Sequence, residues 1–374
     1  MPPPAVRVTK QMLGNTTRKS LLYLDQSFLS LAFRENRAAW VDQAVTRITE
    51  LLDLQLLAVP YSFTHIAEAD LFRKRDELVS FIQRFSRGHH FEPYYRIEET
   101  QIAKAFQAFI AGRPPQYVRE ERDVISGRVH DWDGPYSISV FTPESGFDRK
   151  RAFKQSSVDA LLDALEGWQS SDRTFEEDME LEFSDAARIF VDEYAKKTAR
   201  LYAGDFSALL NAPMAACVVE DLVHITTALK ADLPSIGAFF ASAHFREVPA
   251  QQLSARLYSA FKERLRKKAD QLPASREARA EKYSGLMFDV QHAATYAPYC
   301  DAFFTDNAIA ALMKDKRVAL EETWGCSAFS SSSREQFNEW LAGLKSAMTP
   351  QHAEDLGWAY PRYRYLVRKP GDGV

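Results

Sequence analysis

The chain has 374 residues, 46% of them hydrophobic, and a formal charge of -4. That length supports one large domain or two, and the near-balanced charge confines any nucleic-acid surface to a local patch. The three cysteines (Cys217, Cys300, Cys326) show no CxxC spacing, which excludes a disulfide framework or a zinc ribbon and predicts buried thiols in a reducing compartment. No apolar run is long enough to span a bilayer, and the Met1-Pro-Pro-Pro start lacks the basic and apolar regions of a signal peptide. These features predict a cytoplasmic protein with no membrane partner.

Residues 1–19 read as a flexible arm. Residues 20–25 read as a buried strand, Leu21-Leu22-Tyr23-Leu24, that stops on Asp25. Over 36–56, Trp40, Ala44, Val45, Ile48, Leu51 and Leu52 share one helical face. Leu56 to Val59 is a second short strand, because Pro60 disfavours helix at Val59. Ser62 then stands as the N-cap of a helix carrying His65 and Glu68. Residues 70–285 change character and read as mainly helical, with helices over 76–86, 97–111, 156–167, 176–203, 213–230 and 250–270. Within them, 112–150 is an irregular stretch with a candidate strand over 136–141. The C-terminal part returns to alternation: helix 286–297, strand 302–305, helix 307–314, strand 326–329 and helix 334–346, with Ser330 to Ser333 capping the last helix. Residues 349–374 form a basic, aromatic tail. Alternating strands and helices predict a parallel sheet. The fold class is therefore α/β: one domain built from 20–69 and 286–348, interrupted by a large helical insertion.

Four carboxylates carry the candidate chemistry. Asp25 and Asp306 end strands, whereas Glu68 and Asp289 lie on helices. Strand-end positions in a parallel sheet fall at its C-terminal edge, where α/β proteins place their sites. Carboxylates gathered there cannot all stay ionised without a cation, and oxygen ligands suit Mg²⁺ or Mn²⁺. Two such ions can activate water and stabilise the leaving oxygen of a phosphodiester. The chain has no GxSxG, Walker A or Rossmann glycine pattern that would point elsewhere.

In this order, Leu22-Tyr23-Leu24-Asp25, Pro60-Tyr61-Ser62 through Glu68, Asp289, and Phe303-Phe304-Thr305-Asp306 resemble the motifs of PIN-like domain nucleases. The closing run from Gly325 to Phe329, with a helix after it, fits the same pattern. The resemblance covers about 20–68 and 286–346, and the insertion departs from it. It implies a PIN-like sheet and a metal-dependent hydrolase that cuts RNA, or less often structured DNA. It implies Asp25, Asp289 and Asp306 as metal ligands and Glu68 as a ligand of a second ion or a holder of water. It also implies Thr305 as a hydrogen-bonding neighbour.

Other readings stand beside this one. A strand-end Asp is often only a helix cap or turn residue. Asp301 precedes its strand, which predicts the opposite edge of the sheet, so contact with the carboxylates would be indirect. His65 and His292 each lie three residues from an acidic partner, which fits packing or the orientation of neighbouring groups. The same spacing occurs in di-iron bundles, which would require Asp25 and Asp306 in helices. Lys267, within the basic stretch 262–268, and Arg362, Tyr363 and Arg364 of the tail are candidate nucleic-acid contacts; a solvated face or a tail packed on its own domain explains them as well. The competing function is a catalytically silent module that binds RNA or protein. A toxin or defence nuclease would add an inhibitor or regulatory partner.

Overall fold

The computed structural model describes residues 18–69, 74–125, 127–133, 147–267 and 272–363, with Phe72 and Leu366. The expected strand over 136–141, most of the arm, Arg364 and Lys268 lie outside the described residues. Strand β1 (Ser20–Leu24) leads into α1 (Gln26–Phe33), α2 (Ala39–Asp53), β2 (Leu57–Ala58) and α3 (Phe63–Ala69). Strands β3 (Ala302–Phe304) and β4 (Ser327–Phe329) come from the far end of the chain. All pairings are parallel, in the order β2-β1-β3-β4. The small parallel sheet expected from the alternation is therefore present in a mostly helical α/β protein.

Alternation along each strand explains why the sheet is covered on both faces. Leu21, Tyr23, Ala58, Phe303 and Ala328 join one apolar cluster. Leu22, Leu24, Leu57, Phe304 and Phe329 join the other. The second face is covered by α1 and α2, by α17 (Arg334–Ser346), which supplies Phe337 and Leu341, and by α18 (Pro350–Ala359), which supplies Leu356. Tyr23 stacks on Phe303 with ring centroids 4.3 Å apart, tying β1 to β3 through their side chains as well as their backbones.

Between α3 and β3 the described residues are mainly helical: α4 (Arg75–Ser86), α5 (Tyr94–Ile110), α6 (Phe147–Ser170), α7 (Phe175–Tyr202), α8 (Ser207–Leu210), α9 (Met214–Ala228), α10 (Pro234–Phe240), α11 (Ala243–Arg246), α12 (Pro249–Lys267), α13 (Arg276–Tyr283) and α14 (Leu286–Tyr296). Leu253, Leu257 and Ala260 of α12 and Val290, Ala293 and Ala294 of α14 pack in the same cluster as Tyr23 and Phe303. A third cluster, holding Phe106, Phe190, Leu222, Phe239 and Phe245, joins α5, α7, α9, α10 and α11 away from the sheet. Helices α15 (Asn307–Met313) and α16 (Leu320–Trp324) complete the set. Among the described residues no helix is long and apolar enough to cross a membrane.

One expectation is revised. The stretch 349–374 is not wholly a tail, because 350–359 is α18: Thr349 accepts from the His352 N–H at 3.2 Å and Pro350 takes the first helical position. Directly after α18, Tyr360 and Tyr363 pack back on the protein. Tyr360 stacks on Trp132 and donates to the Asp133 carbonyl at 2.6 Å, and Tyr363 is half-buried against the sheet's second cluster under the Arg362 guanidinium. Asp133 bonds Lys19, which precedes β1, so this surface lies at the N-terminal edge of the sheet. Within the basic stretch of α12, Lys262 and Arg266 turn inward, whereas Lys267 is exposed. Lys262 is buried on Glu182 at 2.5 Å, Arg266 bonds the buried Asp178 at 2.7 Å, and Lys267 pairs with Glu263.

Candidate active site

The order β2-β1-β3-β4 reverses direction at β1: the chain moves to one side for β2 and to the other for β3. The gap beyond the C-terminal ends of β1 and β3 is thus the topological switch point, the usual ligand crevice of an open parallel sheet. Asp25 and Asp306 stand there. Leu24 is in register with Phe304, and the Asp25 N–H donates to the Phe304 carbonyl at 2.9 Å.

Each aspartate also caps a helix, so the functional and the local readings coincide. Asp25 Oδ2 accepts from the Ser27 hydroxyl at 2.9 Å and more loosely from the Ser27 N–H. Asp306 Oδ1 accepts from the Ala308 N–H at 2.6 Å and the Ile309 N–H at 3.1 Å, which leaves Oδ2 without a donor among the described residues. Burial pushes the Asp25 carboxyl up, the bonds from Ser27 and the Gln26 N–H act against this, and the charge of Asp306 raises it further. The two carboxylates therefore sense each other.

Glu68 acts on the same buried tyrosine as Asp25 by charge alone. The Tyr23 hydroxyl is pushed well up by burial, and the charges of Asp25 and Glu68 add to the effect. Asp289, on the first turn of α14, has its Oδ2 3.0 Å from where a side chain on Gly285 would begin, and its charge reaches Tyr258. Among the described residues no three His, Cys, Asp or Glu side chains converge as a metal cage. The structure thus places Asp25 and Asp306 at neighbouring strand ends and, among the described residues, brings no three of the four carboxylates together as a metal-holding group. Thr305 is buried between the strands, its N–H donating to the Phe329 carbonyl at 2.9 Å.

The histidines lie beneath this edge. His65 Nδ1 accepts from the Ser62 N–H at 3.0 Å. Ser62 occupies the cap position as expected, but the imidazole makes the capping bond and the Ser62 hydroxyl does not. His292 Nε2 meets Thr64 Oγ1 at 3.1 Å, which joins α14 to α3. Ser62 lies near enough to favour ionised Tyr23 and Tyr296, yet Tyr23 Oη, Ser62 Oγ and His65 Nε2 meet no partner in hydrogen-bonding geometry. Asp301 is at the opposite edge, as its position before β3 predicts. It accepts from the Leu21 N–H at 2.7 Å and from Arg18 at 2.9 Å, too far along the strand to attend Asp25 or Asp306.

Burial and the neighbouring His292 lower His65 from 6.5 to about 3. The folded value lies below the unfolded one, so the neutral imidazole supports the fold fully above pH 6.5 and that support is lost as pH falls toward 3. Urea unfolding at pH 7 and pH 5 should differ by about 2 kcal/mol from this group. A His65→Gln variant, which cannot gain a proton, should show a flatter profile; an unchanged slope would remove His65 as the cause.

Neither the cleft of about 380 Å³ beside α5 and α11 nor that of about 460 Å³ beside α7 and α10 includes any of these residues. The chain matches no family model, no curated protein and no solved structure.

Proposed function

We propose that the chain is a PIN-like, metal-dependent nuclease of the cytoplasm, acting on RNA in preference to DNA. The observation that carries this reading is the pairing of Asp25 with Asp306 at the switch point between β1 and β3. A hard divalent cation fits the pair. The donors are oxygens, burial and the charge of Asp306 both disfavour ionised Asp25, and a cation relieves that cost. Mg²⁺ in particular is commonly held by one or two carboxylates with water and substrate phosphate, so a complete protein cage is not required.

Asp25 and Asp306 would hold the ion, and Glu68 and Asp289 would hold a second ion or orient water. When bound, Mg²⁺ or Mn²⁺ supplies Lewis-acid activation and neutralises charge at the phosphate. The chain's own contribution is to fix two carboxylates by their helix caps at one sheet edge, which is rigid positioning. A silent binding module is the second reading, favoured by the absence of a converged set of four among the described residues.

The test is incubation of end-labelled single-stranded RNA and DNA with the protein and Mn²⁺, beside EDTA and Asp25→Asn controls. Metal-dependent cleavage that is lost in the variant supports the nuclease and names its polymer. Cleavage of neither polymer, or cleavage indifferent to EDTA and to Asp25→Asn, overturns it.

A further inference from the structure

Helices α7 and α9 pack against each other through Phe190, Val218, Val219 and Leu222, and the short α8 lies in the connection between them. Gly204, at φ 83°, breaks α7 in the left-handed region that glycine enters without strain. Asp205 then accepts from the Ser207 N–H at 3.1 Å and the Ser207 hydroxyl at 2.6 Å, which starts the single turn of α8. Arg200 pairs with Asp205 at 2.7 Å and donates to the Ser207 hydroxyl at 3.1 Å, so the connection is held in one shape. Ala208 is buried beneath this turn, whereas Phe206, Leu209 and Leu210, three and four residues apart, are exposed together.

The tip of the hairpin is therefore apolar on its outside. Tyr202 is 90% exposed, Leu210 86%, Phe206 70%, Leu209 57% and Met214 40%. None of the five belongs to the three apolar clusters formed by the described residues. Single exposed apolar side chains are ordinary, but these five fall within thirteen residues and present roughly 700 Å², more than the largest apolar patch of a typical monomer.

Area and charge select what covers the patch. Burying it on two copies removes roughly 1,400 Å² from water, within the range of a specific, stable protein interface. Every charged side chain from Glu193 to Met214 is already in an ion pair: Glu193 with Lys196, Lys197 with Glu220 and Arg200 with Asp205. Such a neutral surround can face its own copy without like-charge repulsion, which a twofold interface demands. It also offers no spare cation to nucleic-acid phosphates or to an anionic bilayer.

We propose that the tip between α7 and α9 is a homodimer interface, in which Tyr202, Phe206, Leu209, Leu210 and Met214 of two copies cover one another across a twofold axis. The tip belongs to the insertion, and the cluster beneath it lies away from the sheet, so this inference stands apart from the nuclease reading.

The test is light scattering on a size-exclusion peak over a dilution series, for wild type, Phe206→Glu, Leu210→Glu and Val118→Glu. Val118 is an exposed apolar residue outside the tip and serves as the control. Wild type should dimerise with a Kd of about 1 µM or tighter, and Val118→Glu should match it. Each tip variant should weaken association about thirtyfold or more while keeping the wild-type circular dichroism, because exposed positions tolerate substitution. The melting temperature of wild type should rise with protein concentration, and that of the tip variants should not. A wild type that stays monomeric across the series overturns the interface; if that monomer floats with phosphatidylcholine vesicles, the patch belongs to a bilayer surface instead. A dimer that survives both tip substitutions also overturns it, because another face then makes the contact.

Discussion

Asp25→Asn and Asp306→Asn should each lower cleavage by about a thousandfold, roughly 4 kcal/mol of transition-state stabilisation, while melting no lower than wild type. Asn is a good helix cap, so the bonds from Ser27 and from Ala308 and Ile309 can persist in the variants. The stability half of the prediction comes from the direction of the Asp25 shift. Its folded value lies above the ordinary 3.8, so its support for the fold is complete only below that value and is lost as pH rises. At pH 7 the ionised carboxylate is a cost, which Asn removes. The stability gap between Asp25→Asn and wild type should open above pH 3.8 and close below it. Added Mn²⁺ should raise the melting temperature of wild type and raise that of the variants less, by mass action. Full activity in both variants would sink the site, and a melting temperature well below wild type would show that the charge is structural.

The other large effect is expected at the opposite edge. Asp133→Ala should cost about 3–5 kcal/mol, the usual loss when one partner of a buried ion pair is removed. Asp133 accepts from Lys19 Nζ at 2.7 Å, Arg87 Nη1 at 3.0 Å and Gln55 Nε2 at 3.1 Å. Lys19 is only 1% exposed, so the variant leaves its ammonium buried without the carboxylate it bonds. Burial works against the charge of Asp133, but His89, Lys19 and Arg87 outweigh it and hold the carboxyl far below the usual range. The folded value is depressed, so this contribution is present above pH 3.8 and is lost progressively as pH falls below it. Urea unfolding at pH 7 reads the loss. Adding Lys19→Met to Asp133→Ala should recover part of it, because the stranded charge is gone. A single variant within about 1 kcal/mol of wild type would show that the network contributes little.

The sheet is legible in the sequence because buried parallel strands are apolar on both sides, and Leu21 to Leu24 and Ala302 to Phe304 are such runs, each closed by an acid soon after. The strand-end carboxylates come from the same runs. Helix α1 is harder to see, because Asp25 has two roles: it ends a strand and it caps the eight residues after it. Helix α18 is masked by the basic and aromatic character of Arg362, Tyr363 and Arg364, although Thr349-Pro350 carries a start signal. The surroundings of the basic residues of α12 are hidden for a different reason. Charge is visible in a sequence, but the acids that neutralise it, Glu182 and Asp178, come from α7, about eighty residues earlier. The separation of the carboxylates into a close pair and more distant members depends on side-chain direction, which spacing does not encode.

The pairing of β1 with β3 also sets a timetable. During synthesis, β1 can find β2 early, but its other edge stays open until roughly 280 more residues have been made. At about 5–20 residues per second, that is about 15 to 60 seconds of translation with Leu21 to Leu24 unpaired on one side. Asp306 is made about 280 residues after Asp25, so over that interval the growing chain carries only half of the pair. If the pair holds the proposed ion, that ion site cannot form before β3 has been made and has docked on β1.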